Sequence, residues 1–373
     1  MDGIKLASDL TATDLREKKV LVRVDLNLPV QEGEVSDDFR FQKTLPLLQF
    51  LLKQGAKIIL LSHVGGAGAS LLPVSRWLQK FLPHVFVESF DAVAVERGLA
   101  EKPVILLENL RRDRGEENNL PEFAERLAKF GDLYINEAFS VSHRAHASVV
   151  SLPKLLPHYA GPLFKQEHEQ LSKAFIPEHP FIFILGGAKF TTKVPVLKKF
   201  MYLADQIFIH GALANAFFKE LGYQTGTSLV DEQSDMARQF LKFEKIILPV
   251  DVRVRRGAEV SIKKPDELNK EDEIIDVGVD SLEQLREAVA TAKFVLWNGP
   301  VGRFEFGFKG GTDAVAKLVA EAEAHSIIGG GDTLAAIRDL NLLDKFDFIS
   351  TAGGAMLDFL AEGTLPGIEA LKV

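Results

Sequence analysis

Two sets of residues in this chain have the types and spacing to do chemistry. In "VLVRVDLNLPV", Val20 to Val30, the residues Arg23, Asp25 and Asn27 alternate with Val22, Val24, Leu26 and Leu28. Successive side chains of a strand point to opposite faces, so a cation, an anion and an amide would share one face. Similar groups recur downstream: Ser62-His63, Glu108-Asn109 followed by Arg111, and Asn136-Glu137 leading into "SVSHRAHAS" with His143, Arg144 and His146. Arg and His side chains gathered in this way suit a small, multiply charged anion. The second set is glycine-rich: Gly186-Gly187-Ala188-Lys189, Gly211, Asn298-Gly299-Pro300, Gly329-Gly330-Gly331-Asp332 and Ala352-Gly353-Gly354. At strand-to-helix turns, such glycines let backbone N–H groups and a helix N-terminus meet phosphate.

Each motif also has a plainer explanation. A single Gly-rich turn is usually only a tight turn, but several in one half of a chain, beside Lys189, Lys193 and Asp332, favour phosphate. "GGAKFTTK" lacks Walker A spacing, and no G-x-G-x-x-G is present. His143 and His146 could suggest metal ligands, yet Arg144 between them favours an anion. Arg112 and Arg114 in "RRDRGEENN" read as members of a solvated charged loop.

The elements that must position these residues follow from the apolar pattern. Short runs such as "KIILLS", "VILLEN", "LYINEA", "FIFILGG", "QIFIHG", "KIILPVD", "FVLWNGP", "SIIGGG" and "DFISTAGG" alternate with amphipathic stretches such as "TLPLLQFLLKQG" and "PEFAERLAKFG". Strand and helix in this rhythm predict an α/β fold with parallel sheets covered by helices. In such sheets ligands bind beyond the carboxyl ends of the strands, where both sets of residues fall. Four strands are expected before residue 150 and the others after residue 180. Between them, "YAGPLFKQEHEQLSKAFIPEHP" reads as a breaker followed by a polar helix joining two doubly wound domains.

Composition narrows the function classes. The chain has 373 residues, 46% of them hydrophobic and 26% charged, which suits two soluble cores. Its net charge of -8 argues against a nucleic-acid binder. With no Cys, thiolate catalysis, disulfides and Cys-ligated metals are impossible. No apolar run approaches the ~18 residues of a membrane span, and the N-terminus has no signal-peptide pattern.

The motifs "VLVRVDLNLP", "DDFR", "LLSHVGG", "LLENLR", "NEAFSVSHRAHAS", "ILGGAKFTTK", "GTSLVD", "LPVD", "LWNGPVGRFE", "SIIGGGDT" and "ISTAGGA", in this order, resemble the phosphoglycerate kinase family along essentially the whole chain. The resemblance implies two Rossmann-like domains joined by an interdomain helix and separated by a cleft. Residues 1–160 would bind phosphoglycerate, with a tail of about 360–373 packed back on them. Residues 161–359 would form the linker helix and the nucleotide-binding domain. It implies a cytoplasmic, monomeric glycolytic enzyme exchanging a phosphoryl group between 1,3-bisphosphoglycerate and ADP, giving 3-phosphoglycerate and ATP, with Mg2+ accompanying the nucleotide. Neither nucleic acid nor membrane would be a partner.

By matching motif, Asp25, Asn27, Arg40, His63, Arg111 and Arg144 would contact phosphoglycerate. Gly187, Ala188, Lys189, Lys193, Gly211, Asn298, Pro300, Gly302, Glu305, Gly330, Gly331, Asp332 and Thr333 would serve the nucleotide. Glu305 would take the ribose hydroxyls and Asp332 the Mg2+. Arg23 is expected to hold Asp25 by a charge-assisted pair. The acceptor is a carboxylate, already ionised at neutral pH, so no general base is needed. Arg40 and Lys189, assisted by backbone N–H groups at Gly331 and Gly354, would be catalytic by cancelling charge on the moving group, and domain closure would exclude water. The chain departs from the family pattern at Gly66, Glu137, Thr192, Val279, Arg303 and Ala352.

Overall fold

The computed structural model describes residues 1–373. They divide into two compact units, Met1–Glu169 with Thr364–Val373, and Gln170–Gly363. The first contains β1 (Lys19–Arg23), β2 (Val30–Gln31), β3 (Glu34–Val35), β4 (Lys57–Leu61), β5 (Val85–Val87), β6 (Val104–Leu107), β7 (Leu133–Asn136) and β8 (His158–Ala160). Six of them form a parallel sheet in the order β5-β6-β4-β1-β7-β8, and β2 and β3 make a small hairpin. Neighbouring strands run the same way because helices carry the chain back over the sheet faces. The helix Phe39–Lys53 illustrates the cause: Phe41, Thr44, Leu47, Leu48 and Leu51 recur at three- and four-residue spacing and are buried. Of these, the apolar Phe41, Leu47, Leu48 and Leu51 share a core with Val20, Val22, Ile58 and Leu60 of β1 and β4. Gly55, with φ of +80°, follows the helix end in a conformation that costs glycine little.

The second unit contains β9 (Phe181–Leu185), β10 (Gln206–Ile209), β11 (Ile246–Ile247), β12 (Val252–Arg256), β13 (Glu259–Lys263), β14 (Glu273–Val277), β15 (Phe294–Asn298), β16 (His325–Gly329) and β17 (Phe348–Ile349). Its parallel sheet has the order β11-β10-β9-β15-β16-β17. The order reverses between β9 and β15, which makes their carboxyl ends the expected ligand crevice. Gly186 is required there, since a side chain on it would run into the Pro300 carbonyl.

Three features differ from what the sequence pattern predicts. The strand expected over residues 20–30 ends at Arg23. Val24 N–H still reaches the Leu61 carbonyl at 3.0 Å, but the next residue, Asp25, takes the Asn27 N–H at 3.0 Å and turns the chain out of the ladder. The first half has more strands before residue 150 than the four expected, because β5 is only three residues long and the β2–β3 hairpin only four. An antiparallel sheet, β13-β12-β14, has no counterpart in the predicted parallel architecture. Its middle strand buries Val252 and Val254 and turns Arg253 and Arg255 outward, so its apolar signal is half that of a central parallel strand.

Candidate functional site

In the first unit the ends of β1, β4, β6 and β7 carry a cationic cluster. Asp25 is nearly buried and is paired with Arg40, Nη1 to Oδ2 3.2 Å, while Ser140 Oγ donates to the same oxygen at 2.5 Å. Burial raises the Asp25 pKa, but Arg40 and these hydrogen bonds outweigh it and hold the carboxyl below its ordinary value. Arg23 is therefore not the partner of Asp25. The Arg23 side chain is fully buried and turns to Ser148 Oγ (3.0 Å), the Val24 carbonyl (2.7 Å) and His63 Nδ1 (3.3 Å).

His63 is buried, and its pKa is pushed down to about 2 by burial and by Arg23, with Arg111 and Arg144 adding to the effect against Asp25. Burial and the same arginines take His146 down to about 4. Arg111 Nε pairs with Glu117 at 3.2 Å and Nη1 donates to the Gly65 carbonyl, whereas buried Nη2 has no hydrogen-bond partner. Asn27 is exposed, and its Oδ1 accepts from Gly65 N–H at 3.2 Å. Arg144 is exposed. Cations crowded together, with an orphaned buried guanidinium nitrogen among them, are the signature of a site for an anion. Arg112 is half-exposed and pairs with Glu108, and Arg114 is exposed, as expected for a charged loop.

Several further residues build this cluster, and apart from Asn109, which stands in the strand-end motif Glu108-Asn109, they carry little signal in the sequence. Asn109 Nδ2 lies within 2.8, 3.1 and 3.0 Å of the Val64, Gly66 and Ala69 carbonyls and fixes the loop after β4. Ser140, Glu116 and Ser148 are inconspicuous. Serine is too common to stand out, and Glu116 sits inside a run that looks solvated. The signal that could have found Ser148 is its place at the end of "HRAHAS".

In the second unit three nine-residue helices begin directly after glycines with positive φ: Ala212–Glu220 after Gly211 (φ 63°), Gly331–Asp339 after Gly330 (φ 106°) and Gly354–Glu362 after Gly353 (φ 55°). No side chain caps any of the three; backbone carbonyls take some of the first-turn N–H groups, Leu213 donating to Gly187 at 3.0 Å and Ala355 to Ala352 at 3.1 Å, and an anion can meet the N–H groups that remain. A cavity with apolar walls from Phe218, Leu229, Val252 and Ile274 opens beside them. Of the residues matched by motif, Gly187, Ala188, Gly211, Pro300, Gly302, Glu305 and Asp332 line it. Lys189 is exposed on the turn after β9. Lys193 is buried against Asn298 Oδ1, and burial lowers its pKa to about 8. Thr333 is fully buried, and its Oγ1 accepts the Gly299 N–H at 3.1 Å, tying two glycine turns together.

Asp332 is half-buried, and burial together with Glu305 raises its pKa. A carboxylate in that condition gains from a hard cation, and Mg2+ held by one carboxylate and phosphate oxygens fits the donor set. Arg303 lines the same cavity, pairs with Glu273 and lies over the Phe306 ring at 4.2 Å.

Known proteins match the chain across both halves. The family model described as phosphoglycerate kinase matches residues 10–363. The phosphoglycerate kinase of Dictyoglomus turgidum is 42% identical over 391 residues, covering 99% of each chain. That of Thermus thermophilus is 40% identical over 96% of this chain and 98% of its own. Among solved structures, phosphoglycerate kinase from Pyrococcus horikoshii superposes with a TM-score of 0.89 at 30% identity, covering 99% of this chain and 98% of that one. The Coxiella burnetii enzyme gives 0.84 at 36% identity with the same coverage. A match over residues 10–363 and relatives of about 40% identity along nearly the whole length show that the chain belongs to the phosphoglycerate kinase family.

Proposed function

We propose that the cationic cluster of the first unit holds 3-phosphoglycerate, and that the glycine turns of the second hold magnesium-bound ATP or ADP. The observation that carries this is Arg111 Nη2, buried without a partner in a cluster whose arginines depress His63 and His146. Burying an unpaired charged donor costs several kcal/mol unless a ligand completes it, and a phosphate ester does so. His63, Asn27 and Arg144 share the substrate, while Asp25 fixes Arg40 by its ion pair. Arg40 keeps its remaining N–H groups for the reacting carboxylate.

On the nucleotide side, Glu305 binds the ribose, Asp332 holds the Mg2+, and those first-turn N–H groups of the three helices that no backbone carbonyl takes meet phosphate oxygens. The bound cation would shield charge on the nucleotide phosphates. The acceptor carboxylate arrives ionised, so catalysis consists of positioning and of spreading charge over Arg40, Lys189 and the N–H groups at Gly331 and Gly354. The same reading makes the protein a cytoplasmic, monomeric glycolytic enzyme.

Two substitutions test the assignment. Arg111→Ala should raise the KM for 3-phosphoglycerate, on the scale of the ~1.5–3 kcal/mol of a charge-assisted contact, and leave the ATP KM unchanged. Lys189→Met, which keeps the stem and deletes the charge, should lower kcat by roughly 10²–10³ with little change in ligand affinity. An unaltered phosphoglycerate KM in the first, or lost MgATP affinity at wild-type kcat in the second, would overturn the respective role.

A further inference from the structure

Glu116 makes no hydrogen bond to a residue expected to bind substrate, although its Oε1 lies 3.9 Å from His146 Nδ1, yet it ends a chain of contacts that begins at His63. Its carboxylate grips one residue twice: Ser148 N–H donates to Oε2 at 2.9 Å and Ser148 Oγ–H to Oε1 at 2.6 Å. With its proton committed to Glu116, Ser148 Oγ is left as the acceptor for Arg23 Nε at 3.0 Å. Nη1 of the same guanidinium donates to the Val24 carbonyl, and Nη2 lies 3.3 Å from His63 Nδ1. Glu116, Ser148 and Arg23 are all fully buried, so water does not compete for these bonds. Burial pushes the Glu116 carboxyl above its ordinary range, and the neighbouring Arg23 and the Ser148 bonds pull it back.

A guanidinium has only donors, so Nη2 can approach Nδ1 only if that nitrogen offers its lone pair. A neutral imidazole accepting at Nδ1 carries its proton on Nε2. We propose that Glu116 and Ser148 are positioning residues: by fixing Arg23 they lock His63 as the neutral Nε2–H tautomer, a single aimed hydrogen-bond donor for an anionic ligand. The cluster then gains directional donation without adding a further charge to Arg23, Arg111 and Arg144. This rests on His63 being a substrate contact, as read above.

The test uses ¹⁵N-labelled histidine in the full-length protein. In the wild type, His63 should show a pyridine-type Nδ1 and a pyrrole-type Nε2, with no titration between about pH 5 and 8, well above its depressed range. An Nδ1–H ring, or one that titrates there, overturns the proposal without any variant. In Ser148→Ala and in Glu116→Gln the His63 tautomers should mix, and the KM for 3-phosphoglycerate should rise about tenfold with the ATP KM unchanged. A folded variant that keeps both the wild-type tautomer and the wild-type KM also overturns it. His63→Ala separates the two ideas: an unchanged phosphoglycerate KM there would remove His63 from the substrate site while leaving the wild-type tautomer to be judged on its own.

Discussion

Lys193 shows how one side chain can carry a pH response. Its ammonium is buried against Asn298, and burial lowers its pKa to about 8 from the usual 10.5. The native protein therefore releases this proton before the unfolded chain does. Between about pH 8 and 10.5 the unfolded state binds more protons, so this group's contribution to stability rises with pH there. Nucleotide binding should respond in the opposite sense, because phosphate needs the charge. MgATP affinity, measured by calorimetry, should weaken by up to about tenfold between pH 7 and 9, and Lys193→Arg should flatten that slope. A flat wild-type profile would mean that the ammonium does not face the phosphates. At this scale the reactive groups are legible in the sequence, since Arg, His, Lys and glycine types announce themselves. Their partners are not. The spacing predicts Arg23 on Asp25, two residues away, but it faces Ser148, 125 positions on. Such partners are set by how strands and loops fold back, which local spacing does not contain.

Two elements turn local sequence choices into measurable behaviour. The loop after β4 is held by Asn109, and within it Gly66 has open space around its missing side chain and no positive φ. Gly66→Arg should therefore fold normally and place a cation near Arg111. Calorimetry should show tighter 3-phosphoglycerate binding; equal or weaker affinity would mean that the nearby arginines already satisfy the ligand. The helix Pro162–Ser172 starts on Glu137, whose carboxyl accepts from Leu163 N–H (3.1 and 3.2 Å) and Phe164 N–H (3.4 Å). Burial nonetheless pushes its pKa up to about 8, against the pull of those N–H groups. An acid raised in the native state favours its protonated form, so stability should fall as pH rises from about 4.5 to 8, at most by ~1.4 kcal/mol for each pH unit crossed. Urea midpoints at pH 6 and 8.5 should differ in the wild type and much less in Glu137→Gln; parallel slopes would place the titration elsewhere. The sequence shows this helix by its polar periodicity and the central strands by their apolar runs. It hides β5, β8 and the β12–β14 sheet, whose strands are short or alternate with charge.

The two units differ in how the chain completes them. Gln170–Gly363 is contiguous, whereas the first unit is finished by Thr364–Val373. Leu365, Ile368 and Leu371 are buried, Gly367 N–H donates to the Ser142 carbonyl at 2.8 Å, and Val373 N–H to that of Gly3 at 2.9 Å. Gly367 has no room for a side chain because Ser142 lies against it, and Ser142 directly precedes His143 and Arg144. A fragment of residues 1–169 should thus unfold at lower urea than the same fragment mixed with a 364–373 peptide, and should bind 3-phosphoglycerate more weakly; identical midpoints would show the tail to be dispensable. The arrangement also sets an order of events at the ribosome. Residues 1–169 emerge first, but the segment packed beside their cationic cluster at Ser142 follows only after residues 170–363 have been made. At ~5–20 residues per second the wait is roughly 10–40 s. For that interval the nascent first unit exposes an apolar seam, open to chaperones and proteases, until Thr364–Val373 reaches it.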